Sequence, residues 1–235
     1  MRDNKYEKLT VISYLVSLFL LPITLILFMN KRINPTYSIK FIILFILCVI
    51  MYIASMKMIK RYGYDKSLLK INLIIYFLVY IVIIFNLTLF DEIYGRQGLT
   101  AVNWNRELLI KYFNNSFNIV PFRTIKLFIN GYNNRVVTHH AFIENIYGNI
   151  LAFAPFSFFI PLIFKKIDKY YKFIIVMLVI VLQIELLQFI TMSGACDIDD
   201  VILNLMGASI AYFIFKIKII NKVIRKVFLL EEDLC

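Results

Sequence analysis

Residues 172–219 read KFIIVMLVIVLQIELLQFITMSGACDIDDVILNLMGASIAYFIFKIKI. Two apolar runs of about twenty residues, 173–192 and 200–219, flank a short polar loop. At 1.5 Å per residue, each run is long enough to cross a hydrocarbon core of ~30 Å as a helix. The runs are continuous rather than alternating, which favours helices over barrel strands. Lys172 and Lys216 bracket the pair, whereas the loop between the runs carries only acids. Short loops poor in Lys and Arg face outward, so this asymmetry places the acidic loop outside.

Four further runs lie upstream, at approximately 146–164, 71–90, 39–59 and 9–30. The predicted fold is therefore all-α, a polytopic transmembrane helix bundle of about six spans. Composition agrees. Of 235 residues, 61% are hydrophobic and 17% charged, and mean hydropathy is +0.77. A soluble domain of this size would leave too much apolar surface uncovered. The first run is too long for a signal h-region and has no small-x-small cleavage site after it, so it reads as a retained helix. Pro22, Pro155 and Pro161 fall within spans and predict local kinks.

Net charge is +11, but the cations sit in the short segments between runs. That is where anionic inner-leaflet lipid and the insertion machinery favour them, and no basic groove suggests nucleic acid as a partner. Of the 26 Lys and Arg residues, 17 fall in segments on one side and 9 on the other. The bias places both termini in the cytoplasm of a multi-pass membrane protein. Cys48, Cys196 and Cys235 are scattered, form no CxxC pair and read as free thiols. The segment 91–145 is too long for a simple connection. Within it Thr100–Phe113 is amphipathic, with Val102, Leu109, Tyr112 and Phe113, and includes the only tryptophan, Trp104. It predicts an interfacial helix on the outer leaflet, with a plain loop as the alternative.

Polar chemistry gathers at one end of spans four to six. Asn145 and Asn149 are four residues apart on span four, Glu185 and Gln188 three apart on span five, and Asp200 and Asn204 four apart on span six. Each pair shares a helix face. Glu185 lies roughly 10 Å below the outer end of its helix by rise, where an acid needs a partner or a wet site. Gly207 and Ala211 form a small-xxx-small pair that permits close helix approach.

Three readings of this constellation stand side by side. In the first it is structural: Asp199 or Asp200 caps span six, and the amides bridge helices. In the second it is a pocket in which Glu185 and Asp200 serve acid/base chemistry while Arg123, Asn145, Asn149, Gln188, Asp197, Asp199 and Asn204 bind a ligand. In the third, Glu185, Asp197, Asp199 and Asp200 hold a hard cation, although no metal-loop spacing supports it. No cofactor motif is present. Arg123, after Pro121, is a candidate anion clamp or a residue snorkelling to headgroups. Arg96 is a weaker candidate that can pair with Asp91 or Glu92. His139 and His140 are adjacent, point apart and read as loop residues. Gly194 with Cys196 has no identifiable His base nearby.

The ordered set resembles the VanZ-like family of bacterial membrane proteins. It comprises Asn118-Ile-Val-Pro121-Phe122-Arg123, then Glu144-Asn145-Ile-Tyr-Gly148-Asn149 running to Pro155-Phe156, then Glu185-Leu-Leu-Gln188-Phe189, then Gly194-Ala-Cys196-Asp197-Ile-Asp199-Asp200 running to Asn204 and Gly207. The chain departs from many relatives at Ser157, where they have glycine, and at Leu205-Met206. The resemblance covers roughly 71–219. It leaves 1–70 as two additional N-terminal helices and 220–235 as a basic, then acidic, cytoplasmic tail. It implies a cell-envelope role in resistance to glycopeptides, especially teicoplanin-like lipoglycopeptides, and implies no established reaction. The expected partners are membrane lipids and either a lipid-linked peptidoglycan precursor or the lipoglycopeptide itself. An enzyme modifying an envelope lipid or polymer through Glu185 is the alternative, and a small transporter is a third possibility.

Overall fold

The computed structural model describes residues 2–29, 37–90, 106–191 and 194–228. Among them are six helices long and apolar enough to cross a membrane, within Asn4–Met29, Ile39–Tyr62, Ser67–Leu89, His139–Ile163, Tyr170–Thr191 and Ile198–Lys216. All six predicted runs are therefore helical, in the predicted order. Only 22–44% of each apolar stretch is buried within the protein. Phe19, Ile26 and Phe45 each leave about two thirds of their surface outward, as lipid-facing side chains do.

The chain divides into two compact units. One comprises Met1–Ile83 with Lys222–Cys235, the other Ile84–Asn221. In the first unit, α1 (Arg2–Met29) and α2 (Tyr37–Tyr62) run side by side. They are antiparallel: Lys40 donates to the Phe28 carbonyl at 3.2 Å, and the Tyr64 hydroxyl, just past α2, donates to Glu7 at 3.4 Å. Leu21, Leu44, Met51, Met58 and Val79 form the core. α3 (Ser67–Leu89) brings a buried polar chain against them. The Tyr14 hydroxyl donates to Asn72 Oδ1 at 2.9 Å, and Asn72 Nδ2 donates to Ser55 Oγ at 2.8 Å. Such hydrogen bonds between membrane helices are worth about 0.6–1.7 kcal/mol each. α1 passes through Pro22 without ending.

The second unit is built around the segments that carry the polar motifs. α4 (Arg106–Ser116) leads into β1 (Phe117–Asn118), a turn and α5 (Arg123–Asn133). Span four is not one regular helix. It consists of α6 (His139–Phe142), a π-turn (Ile143–Gly148), α7 (Asn149–Ala152), a turn at 153–155 and α8 (Phe156–Ile163). The break falls at Pro155, whose ring cannot continue the preceding helix. Pro161 stays inside α8. α9 (Tyr170–Thr191) is followed by β2 (Cys196–Asp197) and α10 (Ile198–Lys216). α11 (Lys218–Val227) closes the described chain.

The predicted amphipathic segment is helical from Arg106. Its first residues, with Trp104, Arg96, Asp91 and Glu92, lie outside the described residues. His139 and His140 differ from expectation: they begin a helix rather than a loop. The Thr138 hydroxyl accepts the Ala141 N–H at 3.2 Å and caps it. His140 Nδ1 then reaches Glu144 one turn on, at 2.9 Å.

Candidate functional site

The loop before α5 is fixed to the start of α10 by a two-residue parallel pairing. Phe117 pairs with Cys196, and Asn118 with Asp197. Asp197 is extended (φ −127°, ψ 124°), and its Oδ1 accepts the Asp199 N–H at 2.9 Å, which caps α10. The same oxygen accepts Asn118 Nδ2 at 2.8 Å. Asn118 Oδ1 in turn accepts the Val120 N–H at 3.1 Å, and its amide nitrogen also donates to Thr124 Oγ1 at 3.2 Å. Asn118 thus shapes the Pro121 turn from both sides, a role its place in the motif did not reveal.

Asp199 is fully buried. Its Oδ1 accepts the Phe122 N–H, and its Oδ2 accepts those of Thr124 at 2.7 Å and Ile125 at 3.0 Å. These donors lie at the start of α5, which has no side-chain cap of its own. Asp199 is therefore a capping carboxylate delivered from another helix, placed where N–H groups and the helix dipole favour negative charge. It secures Phe122 at φ 63°, a left-handed conformation that a bulky residue adopts only under constraint. The capping role expected for Asp199 or Asp200 at α10 belongs instead to Asp197. Among the described residues, no group of three or more His, Cys, Asp or Glu is placed to hold a metal ion.

α9 presents Phe173, Met177, Val181, Ile184, Glu185, Gln188 and Thr191 as its buried stripe. Glu185 is 5% exposed and its Oε2 accepts the Asp197 N–H at 3.2 Å. Gln188 Nε2 donates to the Thr88 carbonyl at 3.0 Å. Two oxygens stand apart. Gln188 Oε1 and Asn204 Oδ1 are both buried and have no hydrogen-bond partner among the described residues. Leaving such an acceptor dry costs about 1–3 kcal/mol.

Span four contributes unequally. Asn149 Nδ2 donates to Asp200 Oδ1 at 2.6 Å and to the Asn145 carbonyl at 3.0 Å. Asn145 is exposed and donates to its own helix, at Ala141 O, 2.8 Å away. The four-residue spacing predicts both amides on one face. The π-turn between them takes more residues per turn than an α-helix, so that register is lost. Gly207 lets α7 approach α10 closely. A Cβ there would lie 1.7 Å from the Ile150 carbonyl oxygen.

Arg123, at the first residue of α5, is exposed; its backbone N–H donates to the Val120 carbonyl at 3.3 Å, while its side chain makes no hydrogen bond or ion pair among the described residues. It remains positioned by the Asp199 cap beneath it. The Tyr112 hydroxyl donates to the Gly194 carbonyl and, at 3.4 Å, to that of Gln188, which ties α4 to the end of α9. Tyr112, Thr124 and Asn118 were not predicted as site residues; their roles depend on contacts 76, 75 and 79 positions distant in sequence.

Burial raises the Cys196 thiol above its ordinary range, with Glu185, Asp197 and Asp200 adding to the effect. The thiolate is the reactive form. In a chain whose other cysteines are serine, Cys196 should therefore react with maleimide at pH 7.5 several-fold more slowly than free cysteine. The rate should climb as pH rises towards 9. Equal rates at pH 7.5 would contradict the burial.

Comparison with known proteins adds a sequence family. The family described as VanZ/LLP1 matches residues 77–220. A curated relative, Protein VanZ from Enterococcus faecium, is 31% identical over 109 residues, which make up 46% of this chain and 58% of that protein. The chain thus spans a little over half the length of this relative. No solved structure matches.

Proposed function

From the premise that this chain belongs to the VanZ/LLP1 family, we propose that it lowers the susceptibility of a bacterial cell to teicoplanin-like lipoglycopeptides. It does so from the cell membrane, with both termini cytoplasmic and the α9–α10 connection facing outward. The working site is the polar cluster of the second unit. Glu185, Gln188, Asp200, Asn149 and Asn204 form it, with Arg123 as an anion clamp at its edge. Asp197 and Asp199, expected as ligand-binding residues, act by positioning this cluster and its loop.

The observation that carries the reading is the pair of buried acceptors without donors, Gln188 Oε1 and Asn204 Oδ1. Buried polar atoms in folded proteins are almost always satisfied, so each orphan invites an N–H or O–H from outside. Glycopeptides and lipid-linked wall precursors are both dense in amide N–H and sugar hydroxyl groups. Either supplies such donors, and the lipid tail of each reaches the membrane.

Asn204→Leu separates function from structure. Removing a dry acceptor and filling its place with an apolar side chain should leave stability unchanged or improve it. The same change should abolish protection. The measurement is the inhibitory concentration of a lipid-tailed glycopeptide for cells making parent, Asn204→Leu or Glu185→Gln protein at equal membrane levels. Parent protein should raise it several-fold, and both variants should return it to the vector level. Full protection by both variants would reject the site.

The burial of Glu185 favours a second reading, in which it serves as general acid or base on an envelope lipid or polymer. Mass spectra of envelope lipids and wall fragments, with and without the gene, decide between them. Identical profiles alongside protection leave binding as the mechanism.

A further inference from the structure

The sequence of α11, KIINKVIRKV, yields a helix with no buried residue. Its side chains sort into stripes along the helix. Lys218, Lys222 and Lys226 recur every four residues and are exposed. Their side chains make no hydrogen bond or ion pair among the described residues. Ile219, Val223 and Val227 recur at the same spacing, one position on, and leave 76%, 56% and 37% of their surface uncovered. The helix contains no acid, and its fourth cation, Arg225, is half-buried. A cationic stripe therefore runs beside an apolar one, and both face away from the protein.

The attachment of α11 decides what covers these stripes. α10 is a membrane span that ends at Lys216, and Ile217 leaves helical geometry at φ −56°, ψ 126°. α11 starts at the next residue. The corner is held by two bonds: the Asn221 N–H donates to the Ile217 carbonyl at 2.8 Å, and Asn221 Nδ2 to that of Phe215 at 3.3 Å. A helix that starts one residue after a span begins where hydrocarbon gives way to headgroups. An open apolar stripe is disfavoured in water, and three cations are disfavoured in hydrocarbon. The boundary suits both, because apolar side chains enter the acyl region while lysine stems reach up to the headgroups. A zwitterionic surface satisfies the apolar stripe alone. Three lysines along one face add a preference for negative headgroups.

We propose that α11 is an interfacial helix that docks on anionic phospholipid, with Ile219, Val223 and Val227 in the acyl boundary and Lys218, Lys222 and Lys226 at the phosphates. Docking does not involve the α9–α10 cluster, and it holds whichever side of the membrane carries the termini. Most of α11 lies beyond the family match, which ends at residue 220.

The test places a dye on the apolar stripe. Full-length protein carrying Ile219→Cys, with Cys48, Cys196 and Cys235 changed to serine, is labelled with an environment-sensitive maleimide and reconstituted into vesicles. One set is phosphatidylcholine alone, the other an equimolar mixture with phosphatidylglycerol. In the mixed vesicles the dye should emit further to the blue and resist quenching by acrylamide. In phosphatidylcholine alone both signals should fall back towards those of a dye in water. A lysine beside an anionic surface contributes about fivefold, so Lys218→Gln, Lys222→Gln and Lys226→Gln together should lower the docked-to-free ratio in mixed vesicles by roughly 100-fold. Glutamine keeps the helix propensity of lysine. High salt should produce the same loss with all three lysines in place, so the result does not depend on how the variant folds. Lys5→Gln, Lys8→Gln and Lys60→Gln, an equal change in net charge on α1 and α2, should leave the dye docked. A dye equally shielded in both vesicles, a dye in water in both, or an equal loss in the α1–α2 control would overturn the proposal.

Discussion

Gly207→Ala should strip most of the folded protein from the membrane. In an exposed helix the same change is favourable, by up to about 1 kcal/mol of propensity. Here the added Cβ would sit 1.7 Å from the Ile150 carbonyl oxygen, 2.6 Å from its carbon and 2.9 Å from its Cα. All three atoms are backbone, so no rotamer change relieves the clash. α7 must move as a unit, and it carries Asn149 with its bond to Asp200. Overpacking on this scale costs about 3 kcal/mol or more. Gly148→Ala is the matched control, because nothing lies within 4 Å of a Cβ there. Thermal unfolding of both variants in detergent should show the first unstable and the second at or above the parent. A Gly207→Ala protein as stable as the parent would mean that α7 and α10 are not in contact at that point.

Gly207 also illustrates what sequence can disclose. Its spacing from Ala211 predicts a close helix approach, and the approach is there, but the partner atom belongs to a residue 57 positions earlier. The spans themselves are legible because lipid imposes one demand, a long unbroken apolar run, and the chain meets it six times. The π-turn across Ile143–Gly148 has no comparable compositional signature, so Asn145 and Asn149 read as a matched pair when only Asn149 joins Asp200. The acids are legible as special, but the cap of α10, expected of Asp199 or Asp200, falls to Asp197. Asp197 caps the helix that follows it, a local event with a local pattern. Asp199 caps a helix more than seventy residues upstream, and no periodicity encodes that. The Tyr14–Asn72–Ser55 chain escaped for a related reason: single small polar residues in apolar runs acquire meaning only when helices pack.

Asp199→Asn should be nearly as disruptive as the glycine variant, and its damage should be localised. The carboxylate accepts three backbone N–H groups with its two oxygens. An amide has one oxygen and must turn its NH2 towards at least one of those donors. Breaking a buried charge-assisted network of this kind costs about 3–5 kcal/mol. The loss falls first on the Pro121 turn, because Phe122 at φ 63° then has nothing to offset its strain. The amides of Phe122, Thr124 and Ile125 should lose hydrogen-exchange protection before those of α9 do. Asp200→Asn makes the contrast sharp. Asp200 is half-buried, and its Oδ1 accepts Asn149 Nδ2, a bond that the oxygen of an asparagine can still accept. That variant should keep the parent's exchange protection at the Phe122, Thr124 and Ile125 amides, which bond Asp199. If both variants behave alike in exchange, Asp199 is not the cap of α5, and Arg123 is held at the edge of the site by something else. If only Asp199→Asn loosens the turn, the position of Arg123 is set by an acid in another helix. Arg123, the proposed anion clamp, and the α9–α10 cluster would then be one mechanical unit rather than two neighbouring features.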